Sequence, residues 1–158
     1  MTSSGSRELV FDNILENSRI IEGWLKEFCP SALIGHQDLI MLWRECTDDI
    51  GLRLRPFLLH LSSQPGGIDF EDILPIAAGI EMVQLSTLII DDVLDRSPLR
   101  NNRPSVFAKR GLEEAISIGT AISSEGLSLI ARSFSVNSGL KNGLPIIKLM
   151  TETMSNVY

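Results

Sequence analysis

Residues Glu81 to Arg100 read EMVQLSTLIIDDVLDRSPLR. From Glu81 to Ile90 the stretch is apolar except at Glu81, Gln84, Ser86 and Thr87; Asp91, Asp92 and Asp95 then cluster at its end. The apolar run extends back to Ile73. Asp69 suits an N-cap, Glu71 and Asp72 suit a first turn, and Ser97-Pro98 is a stop, so the pattern predicts one long helix ending near Leu94. Four residues apart, Asp91 and Asp95 share a helix face, roughly 6 Å apart along the axis. Three carboxylates there repel one another and sit at the negative end of the helix dipole. A hard divalent cation offsets both costs. Oxygen ligands without His or Cys suit Mg²⁺, which binds through one or two carboxylates plus substrate phosphates. The competing reading is a solvated acidic helix end.

Context sharpens the choice. Gln84 lies seven residues before Asp91, roughly 10 Å down the same face. It is either a satisfied core amide or part of a polar line on an apolar helix. Arg100 comes five residues after Asp95, in a loop from which a guanidinium can hold a phosphate bidentately. Upstream, Gly51-Leu52-Arg53-Leu54-Arg55-Pro56 puts two arginines at a helix start, where backbone N–H groups also favour anions. Read alone, that run is equally a solvated helix start.

Working outward, every long segment reads as helix. Ile14, Ile21, Leu25 and Phe28 recur at helical spacing across Phe11 to Phe28, which Cys29-Pro30-Ser31 ends. His36 to Thr47 and Leu54 to Ser62 are further helical runs, and Gln64-Pro65-Gly66-Gly67 is a turn. Arg100 to Pro104 reads as a loop and Ser105 to Arg110 as a short helix. Leu112 to Phe134 is apolar nearly all round, which implies burial on several sides. Asn137 to Gly143 reads as a loop, and Pro145 to Tyr158 as a helix. The class is therefore all-α. Of the 158 residues, 44% are hydrophobic and only 6% aromatic, enough for a core and unlike an all-β chain. The net charge of -6 disfavours nucleic acid as a partner, and means that an anionic substrate needs a metal or a local basic patch. Cys29 and Cys46 lie outside any zinc pattern and are expected as reduced thiols. The first residues lack the apolar core of a signal peptide. Ile73 to Ile90 carries Pro75, Glu81 and Gln84, so a buried core helix is expected in place of a membrane span. A cytoplasmic protein is expected.

Taken together, the chain resembles the trans-isoprenyl diphosphate synthase (polyprenyl synthetase) family. Gly51 to Pro56 is similar to its G-K-x-x-R-P motif. Glu81 to Arg100 is similar to the helix and loop around its first DDxxD. Arg103-Pro104-Ser105-Val106, Lys109-Arg110-Gly111 and Ala115 to Gly119 are similar to the family's next segment and helix. The resemblance implies an antiparallel helix bundle of the isoprenoid synthase type around a deep cavity, with residues 1–158 forming the N-terminal half of one synthase domain, an incomplete bundle. It implies a head-to-tail prenyltransferase in which Mg²⁺ bridges Asp91, Asp92 and Asp95 to an allylic diphosphate. Arg100 is expected on that diphosphate, and Arg55 and Gln84 on isopentenyl diphosphate. Ser86 and Thr87, small residues just before the first aspartate, are expected to leave the cavity floor open to geranylgeranyl or longer chains. A homodimer or a complementing subunit is expected as partner.

Three departures qualify this. Leu52 stands where the family has Lys, Asn101 where it usually has a second Arg, and no second aspartate-rich motif occurs in the chain. The first two remove cations from the isopentenyl diphosphate site. Three alternatives to a self-sufficient synthase stay open: a fragment or complementing subunit, a terpene synthase-like enzyme that no longer uses isopentenyl diphosphate, and a noncatalytic helical module.

Overall fold

The computed structural model describes residues 3–28, 33–35, 37–47 and 53–136, with 148 and 152. Helix α1 spans Ser3–Glu27, α2 Gln37–Thr47 and α3 Leu54–Ser63, after which comes a 3₁₀ turn at Gln64–Gly66. Helix α4 spans Phe70–Leu94, α5 Val106–Arg110 and α6 Leu112–Val136. The all-α expectation holds. The segments expected at Leu52, Cys29 and Asn137 to Gly143, and most of that at Pro145 to Tyr158, lie outside the described residues.

Helix α4 is the centre of the molecule. It packs along α6 and against α3, and its inward residues include Ile73, Ile76, Ala77, Met82, Leu85 and Ile89. Its contact with α6 is close enough to exclude side chains. A Cβ built on Gly79 would stand 2.7 Å from the Gly126 carbonyl oxygen, and one on Gly126 would stand 2.8 Å from the Gly79 carbonyl oxygen. The two backbones therefore touch at paired glycines, where any side chain would force them apart. Ala115, Ile118, Ile122 and Ile130 continue the α6 side of this seam.

Helix α1 buries Ile21 and Leu25, two of the residues whose spacing marked it, and begins at Ser3, upstream of the Phe11 start expected from periodicity. Once an amphipathic segment docks, extending it costs little. Trp43 of α2 donates its indole N–H to the Phe28 carbonyl at 2.7 Å, while Trp24 stacks on the Phe28 ring. This cluster ties α2 to the end of α1.

Two expectations need correction. Helix α6 is not apolar all round: Glu113, Glu114, Ser117, Thr120, Ser124 and Ser128 are exposed on its outer side. The Ser and Thr hydroxyls that mask this polarity fold back onto the helix's own carbonyls, as Ser117 does on Glu113 and Thr120 on Ile116. The loop after Leu99 is a small antiparallel hairpin, Leu99–Arg100 (β1) paired with Arg103–Pro104 (β2). Its turn residues, Asn101 and Asn102, both take positive φ, 50° and 62°. That is the backbone of a tight hairpin turn, and Asn is among the few residues that tolerate it.

Among the described residues, α4 is the one helix long and apolar enough to cross a bilayer. It is packed between neighbours and carries a buried Glu81 ion-paired to Arg53, so it is a core helix, as expected from the sequence.

Candidate active site

The C-terminal end of α4 sorts its three aspartates by burial. Asp92 is buried at 3% exposure, Asp91 is half-buried and Asp95 is exposed. The helix closes tightly after them. The Arg96 N–H donates to the Val93 carbonyl and the Ser97 N–H to the Asp92 carbonyl at 2.9 Å, with Arg96 in the left-handed region at φ 51°. These paired bonds satisfy helix-end carbonyls and turn the chain sharply into the hairpin.

The hairpin returns Arg100 to the helix. Its Nε donates to Asp92 Oδ2 at 2.7 Å and its Nη2 to Asp92 Oδ1 at 2.9 Å, a bidentate pair; Nη2 also reaches the Leu88 carbonyl at 3.2 Å. The Asp92 carboxylate is the first cause holding the Arg100 pKa above its ordinary value, ahead of the opposing effect of burial. Ser105, N-cap of α5, accepts from the Ala108 N–H and donates to the Ser97 carbonyl, locking the far side of the loop.

In this arrangement two of the expected site residues bond to each other. Asp92, expected with Asp91 and Asp95 on the metal, has both oxygens occupied by Arg100. Arg100, expected on the diphosphate, is committed through two of its three nitrogens to Asp92. Its Nη1 makes no hydrogen bond among the described residues, and the side chain is 35% exposed. Asp91 and Asp95 remain as an oxygen-only pair one turn apart, with no side-chain hydrogen bond to each other or to Arg100. No group of three or more His, Cys, Asp or Glu side chains that could hold a metal occurs among the described residues. Two carboxylates with the remaining positions left to phosphate and water is a donor set that suits Mg²⁺.

Down the Asp91 face lie Thr87 and Gln84, both half-buried, with the Thr87 hydroxyl donating to the Gln84 carbonyl at 2.8 Å. Ser86 lies elsewhere. At 4% exposure it sits on the face formed by Gly79, Val83 and Ile90, the residues that a Cβ at Gly126 or Gly119 would strike, so it belongs to the seam with α6. Arg55 is exposed in the first turn of α3. Its charge lowers the Glu81 pKa, a minor influence beside the burial that raises it. The buried pair of Arg53 and Glu81 was not read from the sequence; an acidic residue inside an apolar run, with two arginines upstream, was the available signal.

A helical scaffold with carboxylates at the end of its central helix and a guanidinium folded over them is that of the isoprenoid synthases. The Polyprenyl synthetase family profile matches residues 37–158, and the chain belongs to that family. It is 31% identical over 121 residues to the geranylgeranyl diphosphate synthase of Methanosarcina mazei, covering 77% of this chain and 37% of that protein. It is 31% identical over 81 residues to heptaprenyl diphosphate synthase component 2 of Geobacillus stearothermophilus, covering 51% of this chain and 25% of that protein. Its fold matches geranylgeranyl pyrophosphate synthetase from the archaeon Geoglobus acetivorans at a TM-score of 0.63 and 25% identity, covering 75% of this chain and 38% of that chain. An FPP/GFPP synthase from Zymomonas mobilis matches at a TM-score of 0.72 and 19% identity, over 94% of this chain and 53% of that chain, a likeness of fold. The chain thus spans well under half the length of these two curated relatives.

Proposed function

We propose that the full-length protein is a head-to-tail prenyltransferase that ionises an allylic diphosphate and joins its hydrocarbon to isopentenyl diphosphate. The observation that carries this reading is the division of the aspartate cluster. A buried Asp92 holds Arg100 in place, leaving Asp91 and Asp95 together at the helix end. Asp91 and Asp95 would hold Mg²⁺ with the allylic diphosphate; once bound, the ion supplies Lewis-acid stabilisation of charge on the leaving diphosphate. Arg100, oriented by Asp92, offers Nη1 to the same diphosphate, a donor fixed in advance of the charge it meets. Arg55 and Gln84 take the isopentenyl diphosphate. The growing tail runs down α4 past Thr87, with Ser86 shaping the packing behind that wall.

The names of relatives support the reaction class, and the coverage of each is partial, so two forms of the protein fit: a longer synthase, or a subunit completed by another chain. The geranylgeranyl diphosphate synthases among the relatives support the first, and the heptaprenyl diphosphate synthase component 2 proteins support the second. The test is turnover of the full-length protein with Mg²⁺, an allylic diphosphate and isopentenyl diphosphate. Asp91→Ala and Asp95→Ala should each lower kcat by about two orders of magnitude or more, the scale of losing one transition-state charge contact. Unchanged turnover in Asp91→Ala refutes the assignment.

A further inference from the structure

At the start of α3 two buried charged side chains have no part in that reaction. Arg53 and Glu81 are 2% and 3% exposed, with Arg53 Nη1 3.5 Å from Glu81 Oε2. Arg53 is the N-cap residue of α3 and lies in the left-handed region, at φ 49° and ψ 38°. Glu81 sits in the middle of α4, and its Oε1 accepts no hydrogen bond from the described residues. Burial is the leading influence on both groups, lowering the pKa of Arg53 and raising that of Glu81, with their mutual attraction opposing it.

Each of these features is unfavourable. A buried ion pair is commonly no more stable than two apolar side chains of similar volume, and a carboxylate oxygen without a donor makes this one worse. A non-glycine residue at positive φ adds backbone strain at the same point. What the pair does achieve is a fixed geometry. Arg53 is two residues before Arg55, and Glu81 is one turn before Gln84. Their contact pins the first turn of α3, which carries Arg55, to the turn of α4 that carries Gln84. The Arg55 charge is already felt at Glu81.

We propose that Arg53 and Glu81 are a positioning pair that sets the turn of α3 carrying Arg55 against the turn of α4 carrying Gln84, so that the two can engage one diphosphate group together. Neither member touches the ligand. This deepens the prenyl-transfer reading and rests on it.

The experiment uses the full-length protein and two variants. Arg53→Met combined with Glu81→Leu removes both charges while roughly keeping volume, and its melting temperature should match or exceed that of the wild type. Glu81→Gln keeps the shape and an oxygen that accepts from Arg53. For the double variant we expect KM for isopentenyl diphosphate to rise about tenfold or more, while KM for the allylic diphosphate and kcat change by less than about threefold, the signature of a lost binding contact. Glu81→Gln should fall between the wild type and the double variant. A folded double variant with unchanged KM for isopentenyl diphosphate overturns the proposal, as does a rise of both KM values together. Should the double variant fail to fold, Glu81→Gln decides alone: a selective rise supports the pair and no rise overturns it. A wild type that does not join the two diphosphates refutes the proposed function, and this inference with it; a wild type that does, with unaltered variants, refutes the pair only.

Discussion

The proposed function gives Arg100 a second task beside its bonds to Asp92, and the two are separable by measurement. Its bidentate bonds neutralise a buried Asp92, so Arg100→Ala should destabilise the fold by about 1.5–3 kcal/mol, the usual worth of hydrogen bonds to a charged group. A guanidinium that served only the substrate would leave stability unchanged. Chemical denaturation of Arg100→Ala beside the wild type reads the difference, and Arg100→Lys should recover charge without the two-pronged geometry and restore little. Glu81 gives a second measurement. Its folded pKa is raised above the ordinary 4.5, so the folded state keeps the proton where the unfolded chain has released it. Wild-type stability from this group therefore falls as pH climbs above 4.5 through the folded value. The Arg53→Met/Glu81→Leu variant lacks that loss, and its advantage in denaturation experiments should widen from mildly acidic to neutral pH; a constant gap contradicts the shift. At this scale the aspartate cluster was legible because its spacing is local. The Arg53–Glu81 pair was not, because it joins residues far apart in sequence and exists only once α3 docks on α4. The preference of Asp92 for Arg100 was hidden for the same reason: it needs the hairpin turn at Asn101 and Asn102.

Among elements, the pairing of α4 with α6 is set by Gly79 and Gly126. Gly126→Ala would place a Cβ 2.8 Å from a backbone oxygen that cannot swing aside, and should cost about 1–3 kcal/mol, the scale of overpacking a close interface. Thermal unfolding of that single variant checks it; a stability equal to wild type means that the helices are farther apart. The same seam separates the two positions named for chain length. Ser86→Phe inserts a ring between α4 and α6 and should destabilise the protein before product length can be read. Thr87→Phe lies on the Asp91 face and should shorten the longest product, read with an allylic substrate series in the full-length protein. Loss of stability in Thr87→Phe with no change in product length would place the cavity wall elsewhere. Helix positions were readable from apolar periodicity and stop signals. Which face meets which neighbour was not, since α4 carries apolar residues on every side and α6 hides its polar face behind hydroxyls bonded to its own backbone.

For the whole molecule, the feature that bears on association is an apolar stripe on its surface. Leu54, Leu58 and Leu61 are 52%, 55% and 44% exposed, and their spacing puts them on one face of α3. A stripe of this kind on a small chain favours association, because each half-exposed leucine gains about 1 kcal/mol when covered. The 158-residue chain by itself should therefore self-associate, and the effect should be directed by α3 more than by the polar outer side of α6. Replacing Leu58 and Leu61 by Lys adds charge to the stripe and removes two of its leucines, so sedimentation should find the assembly weakened by about tenfold or more, given roughly 1.4 kcal/mol per decade. A second variant, Ser124→Lys with Ser128→Lys on α6, changes net charge by the same amount away from the stripe and should not weaken association. That control matters in a chain of net charge -6, where any added lysine reduces overall repulsion and would by itself strengthen association. Weakening on α3 against that trend identifies the leucine face as the contact. A monodisperse monomer in the unsubstituted chain, with a sharp cooperative melt, contradicts the argument at its root.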